Sequence, residues 1–268
     1  VNLKHLVKPL VIRASQLARL RQSETSLTRA AGRYWSAGTD DRFRGNSHWR
    51  GEGGVGSEAW DRIGERHVDL YRRFAALAGF EPSPRRVVEW GCGGGANAVP
   101  FARLAEQFVG VDVAAASLAE CRRQLDAGGL ADRFTPVEAA VDDPEAAARE
   151  VLGSAGPCDL FLCVYVFELV PGPAYVTRLL RIARDLLAPG GAALVQFKYA
   201  TADWRSRPRR WAYRLNLANM TVLHVEQFWR MAEEAGLTPQ AMTLVPQDRL
   251  VGDERYAYAL LTKPSASE

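Results

Sequence analysis

The sequence is short of the residues that staple or metallate a small protein. Its four cysteines, at 92, 121, 158 and 163, form no CxxC pair, and none of its four histidines stands at zinc-finger spacing from them. That argues against a disulfide framework and against a structural metal, and it fits a reducing cytoplasm. Long apolar runs are missing too. Lys4, His5, Lys8 and Arg13 interrupt the apolar residues at the start, and no later stretch reaches the length of a membrane span. Charge bias is slight: 34 Lys plus Arg against 31 Asp plus Glu leave +3, too little to argue for a nucleic-acid surface by itself. Internal repeats and low-complexity tracts are absent, which excludes solenoids and extended linkers. What remains is a chain of 268 residues, 47% hydrophobic, enough for one large core plus a small appendage. A homo-oligomer is compatible with this composition, but no feature fixes the state.

Leu3, Leu6, Val7, Leu10, Leu17 and Leu20 recur near helical spacing and predict one or two basic amphipathic helices. Residues 32–56 are rich in glycine, polar residues and aromatics, the composition of a long irregular lid or binding loop. Residues 1–56 are therefore expected to form an N-terminal helical lid, and residues 57–268 the main domain. Ser57 is the expected N-cap of a helix running to about Ala78. After the "EPSP" linker, short apolar runs alternate with helical segments. Strands are expected at Arg86 to Trp90, Phe108 to Asp112, "RFTPVEAAV", "CDLFLCVYV" and "GAALVQFKY", with helices between. Such alternation implies a parallel sheet with right-handed crossovers. The last two strands, "LTPQAMTLV" and "RYAYALLTK", are joined too tightly for a crossover helix, so they pair antiparallel. An insertion at about 199–223 follows the fifth strand.

The stretch "EWGCGGGA", Glu89 to Ala96, falls at the carboxyl end of the first strand, where open α/β sheets bind ligands. Its glycines let backbone approach a ligand. As a dinucleotide fingerprint, Gly91-x-Gly93-x-x-Ala96 with Asp112 ending the second strand also fits. Glu89 weighs against that reading, because a carboxylate at the strand end repels a pyrophosphate and welcomes a cation. The turn in "LLAPGGAALV", read as a helix stopped by Pro189 and turned by Gly190-Gly191, and the antiparallel ending point the same way.

With these motifs in order, the chain resembles the class I S-adenosylmethionine-dependent methyltransferases. The family's first motif, acidic-x-Gly-x-Gly-x-Gly, is matched by Glu89 to Gly95, with Glu in place of the more usual Asp. Asp112 in "GVDV", Asp159 in "CDLFLCVYVFELV" and Leu187 to Gly191 match three further motifs, and the resemblance spans roughly residues 57 to 263. It implies a Rossmann-like α/β fold, a mostly parallel seven-stranded sheet with an antiparallel last strand. It also implies S-adenosylmethionine as cofactor. The backbone of Gly91 to Gly93 would cradle the methionine part and Glu89 would face its ammonium. Asp112 would take the ribose hydroxyls, Val113 would pack on the adenine, and Asp142 would meet the adenine amino group, with Asp143 as its competitor. Cys92, Gly95 and Cys163 complete the expected cofactor set. Asp142 and Asp143 also read as helix N-caps.

Methyl transfer is an in-line displacement at a sulfonium methyl, so the protein mainly aligns the nucleophile and excludes water. An oxygen acceptor also calls for a general base. His224, at a helix start after the insertion, and His48, inside "NSHWRG", have suitable chemistry. The histidine that many members carry after the fourth strand is Leu169 here, following Glu168. Tyr34, Trp49, Tyr165, Glu168 and Tyr199 are the expected acceptor-binding residues, with Trp35, Lys198 and Asp203 as further candidates. "WRSRPRRWAYR", Trp204 to Arg214, reads either as an anion- or sugar-recognising wall or as a solvated basic face. The expected reaction is methylation of an oxygen or nitrogen of a small molecule, such as a specialised metabolite, a sugar or a modified peptide. Alternatives are a nucleic-acid or protein methyltransferase, with nucleic acid disfavoured for want of a recognition module, or a catalytically silent cofactor-binding partner.

Overall fold

The computed structural model describes residues 11–265 apart from 17, 19, 37 and 39. Most of the leucines behind the expected N-terminal helices lie outside that set; residues 11–16 are helical. A seven-stranded sheet in the order β3-β2-β1-β4-β5-β7-β6 organises the rest. Its strands are β1 Arg86–Trp90, β2 Gln107–Asp112, β3 Phe134–Glu138, β4 Cys158–Cys163, β5 Leu187–Lys198, β6 Thr238–Asp248 and β7 Asp253–Thr262. The first five run parallel, and β7 is antiparallel to both β5 and β6. The four residues between Asp248 and Asp253 leave no room for a crossover, so the chain turns back on itself. The order reverses between β1 and β4, and the cleft opens at the carboxyl ends of the strands there.

The central strands are buried on both faces, so β1, β2 and β4 read as continuous apolar runs rather than alternating ones. One face is covered by α6 (Pro144–Ser154), α7 (Pro173–Leu186) and α9 (Val225–Glu234), the other by α3 (Ser57–Ala78), α4 (Ala98–Leu104) and α5 (Ala115–Ala127). Ahead of α3 stand α1 (Glu24–Ser36) and α2 (Asp41–Asn46), and α8 (Tyr213–Asn216) lies in the insertion. Leu27 and Ala31 of α1 pack against Tyr213, Leu217 and Met220, so the N-terminal segment meets the insertion over its own small core. Among the described residues no helix is long and apolar enough to cross a membrane.

Several local expectations shift. Residues 32–56 are less irregular than their composition suggests. Asp40 accepts a hydrogen bond from Phe43 N at 2.8 Å and starts α2, whose Phe43 is fully buried. That burial contributes roughly 1.5–3 kcal/mol. Gly56, not Ser57, is the N-cap of α3, and no side-chain cap forms there. The third strand stops at Glu138, three residues before Val141. Helix α7 ends at Leu186, before Pro189, and β5 has already begun at Leu187. The Pro-Gly-Gly run is an irregularity inside that strand, between the Cys158 and Leu160 pairings.

Candidate functional site

A cleft with about 920 Å³ of empty space lies over the ends of β1, β2 and β4, roofed by α1, the segment after α2 and the insertion. The glycine loop forms one wall. Its five backbone N–H groups are all spoken for within the protein. Gly91 and Cys92 donate to Val111 O at 2.7 and 3.1 Å, Gly94 to Ser47 O at 2.7 Å and Gly95 to Cys92 O at 3.0 Å. Gly93 donates to Asp112 Oδ2 at 2.9 Å. A phosphate-binding loop presents free N–H groups to its anion. This loop has none, and its neighbours are carboxylates, so the dinucleotide reading fails on geometry as well as on charge.

The bareness of the loop has a second cause that the sequence does not display. A Cβ on Gly94 would stand 2.7 Å from Trp49 Cα and 2.9 Å from His48 O, and one on Gly93, where φ is +52°, would run into Ser47 O. The strap of residues 47–49 therefore lies directly on the loop, and glycine is required there by the chain itself.

Glu89 is 1% exposed. Its Oε1 accepts from Asn97 Nδ2 at 2.7 Å, while its buried Oε2 has no partner. Burial pushes its pKa up to about 8. An orphaned carboxylate oxygen on a cavity wall is suited to an ammonium group, which would supply the missing donor and restore the charge. Asp112 ends β2 with Oδ1 accepting from Ala114 N at 3.0 Å, and burial raises it to about 6 despite these backbone donors. Its carboxyl still has lone pairs for hydroxyl donors, and Val113 beside it offers an apolar surface to a flat ring. The residues present thus fit S-adenosylmethionine.

Of the expected cofactor residues, Glu89, Gly91, Cys92, Gly93, Asp112 and Val113 line the cleft. Gly95 does not; a Cβ there would touch Cys121. Cys163 is sealed in the core, its thiol pushed well up by burial, and Cys92 is likewise raised by its hydrogen bond with Cys121 and by burial. Asp142 is exposed and off the cleft because β3 ends early; Ala139 and Val141 reach the wall instead. Asp143 caps α6 by accepting from Ala146 N at 3.1 Å.

The two candidate bases part company. His48 lines the cleft with φ +50°, its ring centroid 4.7 Å from that of Tyr165, which also lines the cleft and has φ +60°. Burial and the Arg66 guanidinium lower His48 to about 4. Two non-glycine residues side by side at positive φ mark stored backbone strain. His224 is exposed at the start of α9 and away from the cleft, an ordinary helix-start residue.

Among the acceptor candidates, Tyr34 and Trp49 do not reach the cleft. Tyr34 accepts from Asn46 Nδ2 at 2.7 Å, and Trp49 packs edge-on to Phe43 above the loop. Trp35 and Tyr213 line it in their stead, joined by a Trp35 Nε1 to Tyr213 hydroxyl bond of 2.8 Å. Tyr199 sits in the core, paired with Leu223. Glu168 is buried beside Lys198, off the cleft, and burial raises it to about 8. Lys198 is tied to Asp253 at 2.6 Å, and Asp203 caps a turn by accepting from Arg205 N. Of Trp204 to Arg214 only Tyr213 reaches the cleft, so the arginines there are not its wall.

Reading the sequence missed a polar set behind Tyr165, the half-buried Arg66 with the buried His67, Asn97, Asp248 and Tyr258. Arg66 pairs with Asp248 at 2.8 Å and donates to the Tyr165 hydroxyl. His67 follows Ile63 and precedes Leu70 and Phe74 on the buried face of α3. A titratable residue on an apolar helical stripe was the available signal. Among the described residues no three His, Cys, Asp or Glu groups are placed to hold a metal.

Residues 62–241 match the methyltransferase-domain family. The ubiquinone biosynthesis O-methyltransferase of Dinoroseobacter shibae is 31% identical over 157 residues, covering 52% of this chain and 58% of that protein. The chain spans about half the length of the curated relatives it matches. The N-methyltransferase NodS from Bradyrhizobium japonicum WM9, solved with S-adenosyl-L-homocysteine, is 17% identical with a TM-score of 0.52, covering 75% of this chain and 87% of that one. The cyclase SpnF is 18% identical with a TM-score of 0.55, covering 75% and 81%. A cyclase among these neighbours means that likeness of fold alone does not assign the reaction.

Proposed function

This chain belongs to the class I S-adenosylmethionine-dependent methyltransferases, and we propose that it methylates an oxygen or nitrogen of a small molecule that is uncharged where it enters the cleft. One observation carries the substrate class. Among the described residues the cleft is lined by two carboxylates, Glu89 and Asp112, and by no lysine or arginine. Such a wall favours a cationic cofactor, and without a lysine or arginine it offers an anionic acceptor no counter-charge. Trp35, Leu169 and Tyr213 give the rest of the chamber an apolar, aromatic character suited to a ring or alkyl group. The relatives named for ubiquinone biosynthesis support methylation at oxygen.

S-adenosylmethionine supplies an activated methyl group on sulfonium sulfur. The protein's share is to hold the cofactor by Glu89, Asp112 and Val113, to keep water out beneath the strap of residues 47–49, and to align the acceptor. Burial and Arg66 lower His48 to about 4, so at neutral pH its imidazole is unprotonated and, as a weaker base than free imidazole, takes the proton of an acceptor hydroxyl only as the forming C–O bond acidifies it. An amine that is already neutral needs no such base.

The test is transfer of labelled methyl groups to a panel of neutral phenols, amines and their carboxylated or phosphorylated counterparts. Turnover confined to the anionic members would overturn the proposal. His48→Gln is expected to slow hydroxyl acceptors about 10²- to 10⁴-fold and neutral amines far less; equal loss on both would remove the base role.

A further inference from the structure

Trp35 of α1 and Tyr213, the first residue of α8, stand 178 positions apart in the chain and meet at the cleft. An indole nitrogen can only donate, so the 2.8 Å bond between them has a fixed direction: Trp35 Nε1 gives its proton and the Tyr213 oxygen accepts. The phenolic proton of Tyr213 must therefore point elsewhere, and among the described residues none takes it. Tyr34, Tyr175 and Glu168 are the ionisable groups around the hydroxyl. Tyr34 accepts from Asn46 Nδ2, Tyr175 gives its own proton to Val141 O at 2.7 Å, and the buried Glu168 Oε2 has no partner. Tyr213 is 3% exposed, and burial pushes its pKa well up, so the hydroxyl stays protonated.

Tyr213 divides two cavities, and its two ends face different ones. Its chain neighbours Ala212, Arg214 and Leu215 line an outer groove that Trp35 does not reach, so the main-chain end faces outward. The hydroxyl end lies at Trp35, and Trp35 and Tyr175 line the cleft and not the groove. The backbone is bent to present the ring this way: Ala212 holds φ +45°, unfavourable for a residue with a Cβ, and its N–H is fixed by Gln22 Oε1 at 2.8 Å. A buried donor left without an acceptor is costly, whereas one that exchanges a water for a ligand oxygen loses little. Such a donor selects by exclusion. A molecule with an oxygen at that point enters freely, and one with a methylene there strands the proton. Among the described residues the cleft has no lysine or arginine to balance a charge, so the oxygen it suits is uncharged.

We propose that Tyr213 is a specificity-determining residue, its O–H donating to an uncharged oxygen that the methyl acceptor carries on an aromatic ring, apart from the group being methylated. Trp35 is its positioning residue, occupying the phenol's lone pair so that the proton stays turned to the cleft. The inference deepens the proposed function, and it rests on the chamber beside Trp35 belonging to the acceptor and not to the cofactor.

The experiment uses the full chain, labelled S-adenosylmethionine and pairs of neutral rings matched in shape: meta- and para-hydroxyacetophenone against the corresponding ethylphenols, and the aminoacetophenones against the ethylanilines. Each pair exchanges a carbonyl for a methylene. The quantity read is the ketone-to-ethyl ratio of kcat/KM, compared between wild type and Tyr213→Phe so that the intrinsic reactivity of each ring cancels. For at least one pair the ratio should fall roughly 10- to 100-fold in Tyr213→Phe. Trp35→Phe should lower it in part, and adding Trp35→Phe to Tyr213→Phe should change it no further. Calorimetry should find the same affinity for S-adenosylhomocysteine in wild type and Tyr213→Phe. A ratio that Tyr213→Phe leaves unmoved in every pair overturns the proposal. So does a loss of S-adenosylhomocysteine affinity of the same size, which would place the donor on the cofactor. Wild-type turnover confined to the ethyl members overturns this inference and leaves methyl transfer to neutral rings standing; turnover of none of the rings overturns both.

Discussion

Replacing Gly94 with alanine tests whether the strap and the glycine loop act as one unit. The new Cβ would lie 2.7 Å from Trp49 Cα and 2.9 Å from His48 O, both backbone atoms that cannot swing aside. To regain ordinary contact the strap must rise by several tenths of an ångström, which stretches the 2.7 Å bond from Gly94 N to Ser47 O. Overpacking of this kind costs about 1–3 kcal/mol, and loss of the hydrogen bond accounts for about 1 kcal/mol of it. A shift of 1–3 kcal/mol corresponds to a roughly 5- to 150-fold rise in the undocked population. The Gly94 amide reports this directly by hydrogen exchange, since its proton is the one the strap protects. The KM for S-adenosylmethionine should rise alongside. Gly153→Ala in α6, where nothing lies within 4 Å of the added Cβ, is the control and should leave both readings alone. If Gly94→Ala exchanged at the wild-type rate and kept its KM, the docked strap would play no part in holding the cofactor.

Three other outcomes follow from titration and placement. Because burial raises Glu89 to about 8, ammonium binding at lower pH must expel its proton. Affinity for S-adenosylhomocysteine should therefore climb from pH 6 to about 8, with proton release seen as buffer-dependent heat, and Glu89→Gln should flatten the climb and weaken binding. Glu168 has a folded pKa near 8 against an ordinary 4.5, so folding binds its proton; stability is whole below about 4.5 and erodes as pH rises towards 8. Glu168→Gln should consequently narrow the gap in melting temperature between pH 5 and pH 8, and an unchanged gap would show the carboxyl is better solvated than its burial suggests. His224→Ala should leave turnover unaltered across pH 6 to 9, since the ring is exposed and off the cleft; a lost acid limb would contradict that placement.

The sheet was largely legible because its evidence is local. Arg86 to Trp90 is an apolar run of strand length, and the short turn after Asp248 forces an antiparallel return. The glycine-loop wall of the cleft was legible for the same reason, since Glu89, Gly91, Gly93 and Asp112 sit at fixed offsets from strand ends. What failed depended on chain paths that spacing does not encode. Asp142 follows the third strand by pattern, yet that strand stops at Glu138 and Asp142 turns outward. Trp35 and Tyr34 are adjacent in one helix, so composition could not say which ring faces inward, and the choice is fixed by Tyr213, 178 residues further on. The Arg66 to Asp248 pairing spans 182 residues and joins two segments that look like ordinary charged surface.

The contact between residues 47–49 and the glycine loop bears on how such enzymes diversify. Exchanging one N-terminal cap for another is a natural route to a new acceptor, but here the recipient surface is contoured to backbone. An incoming segment that presents a side chain where Ser47 to Trp49 present their main chain would be rejected by the glycine loop, however well it suited the new substrate. The two stretches are separated by some forty residues of sequence and must nevertheless be inherited as a pair.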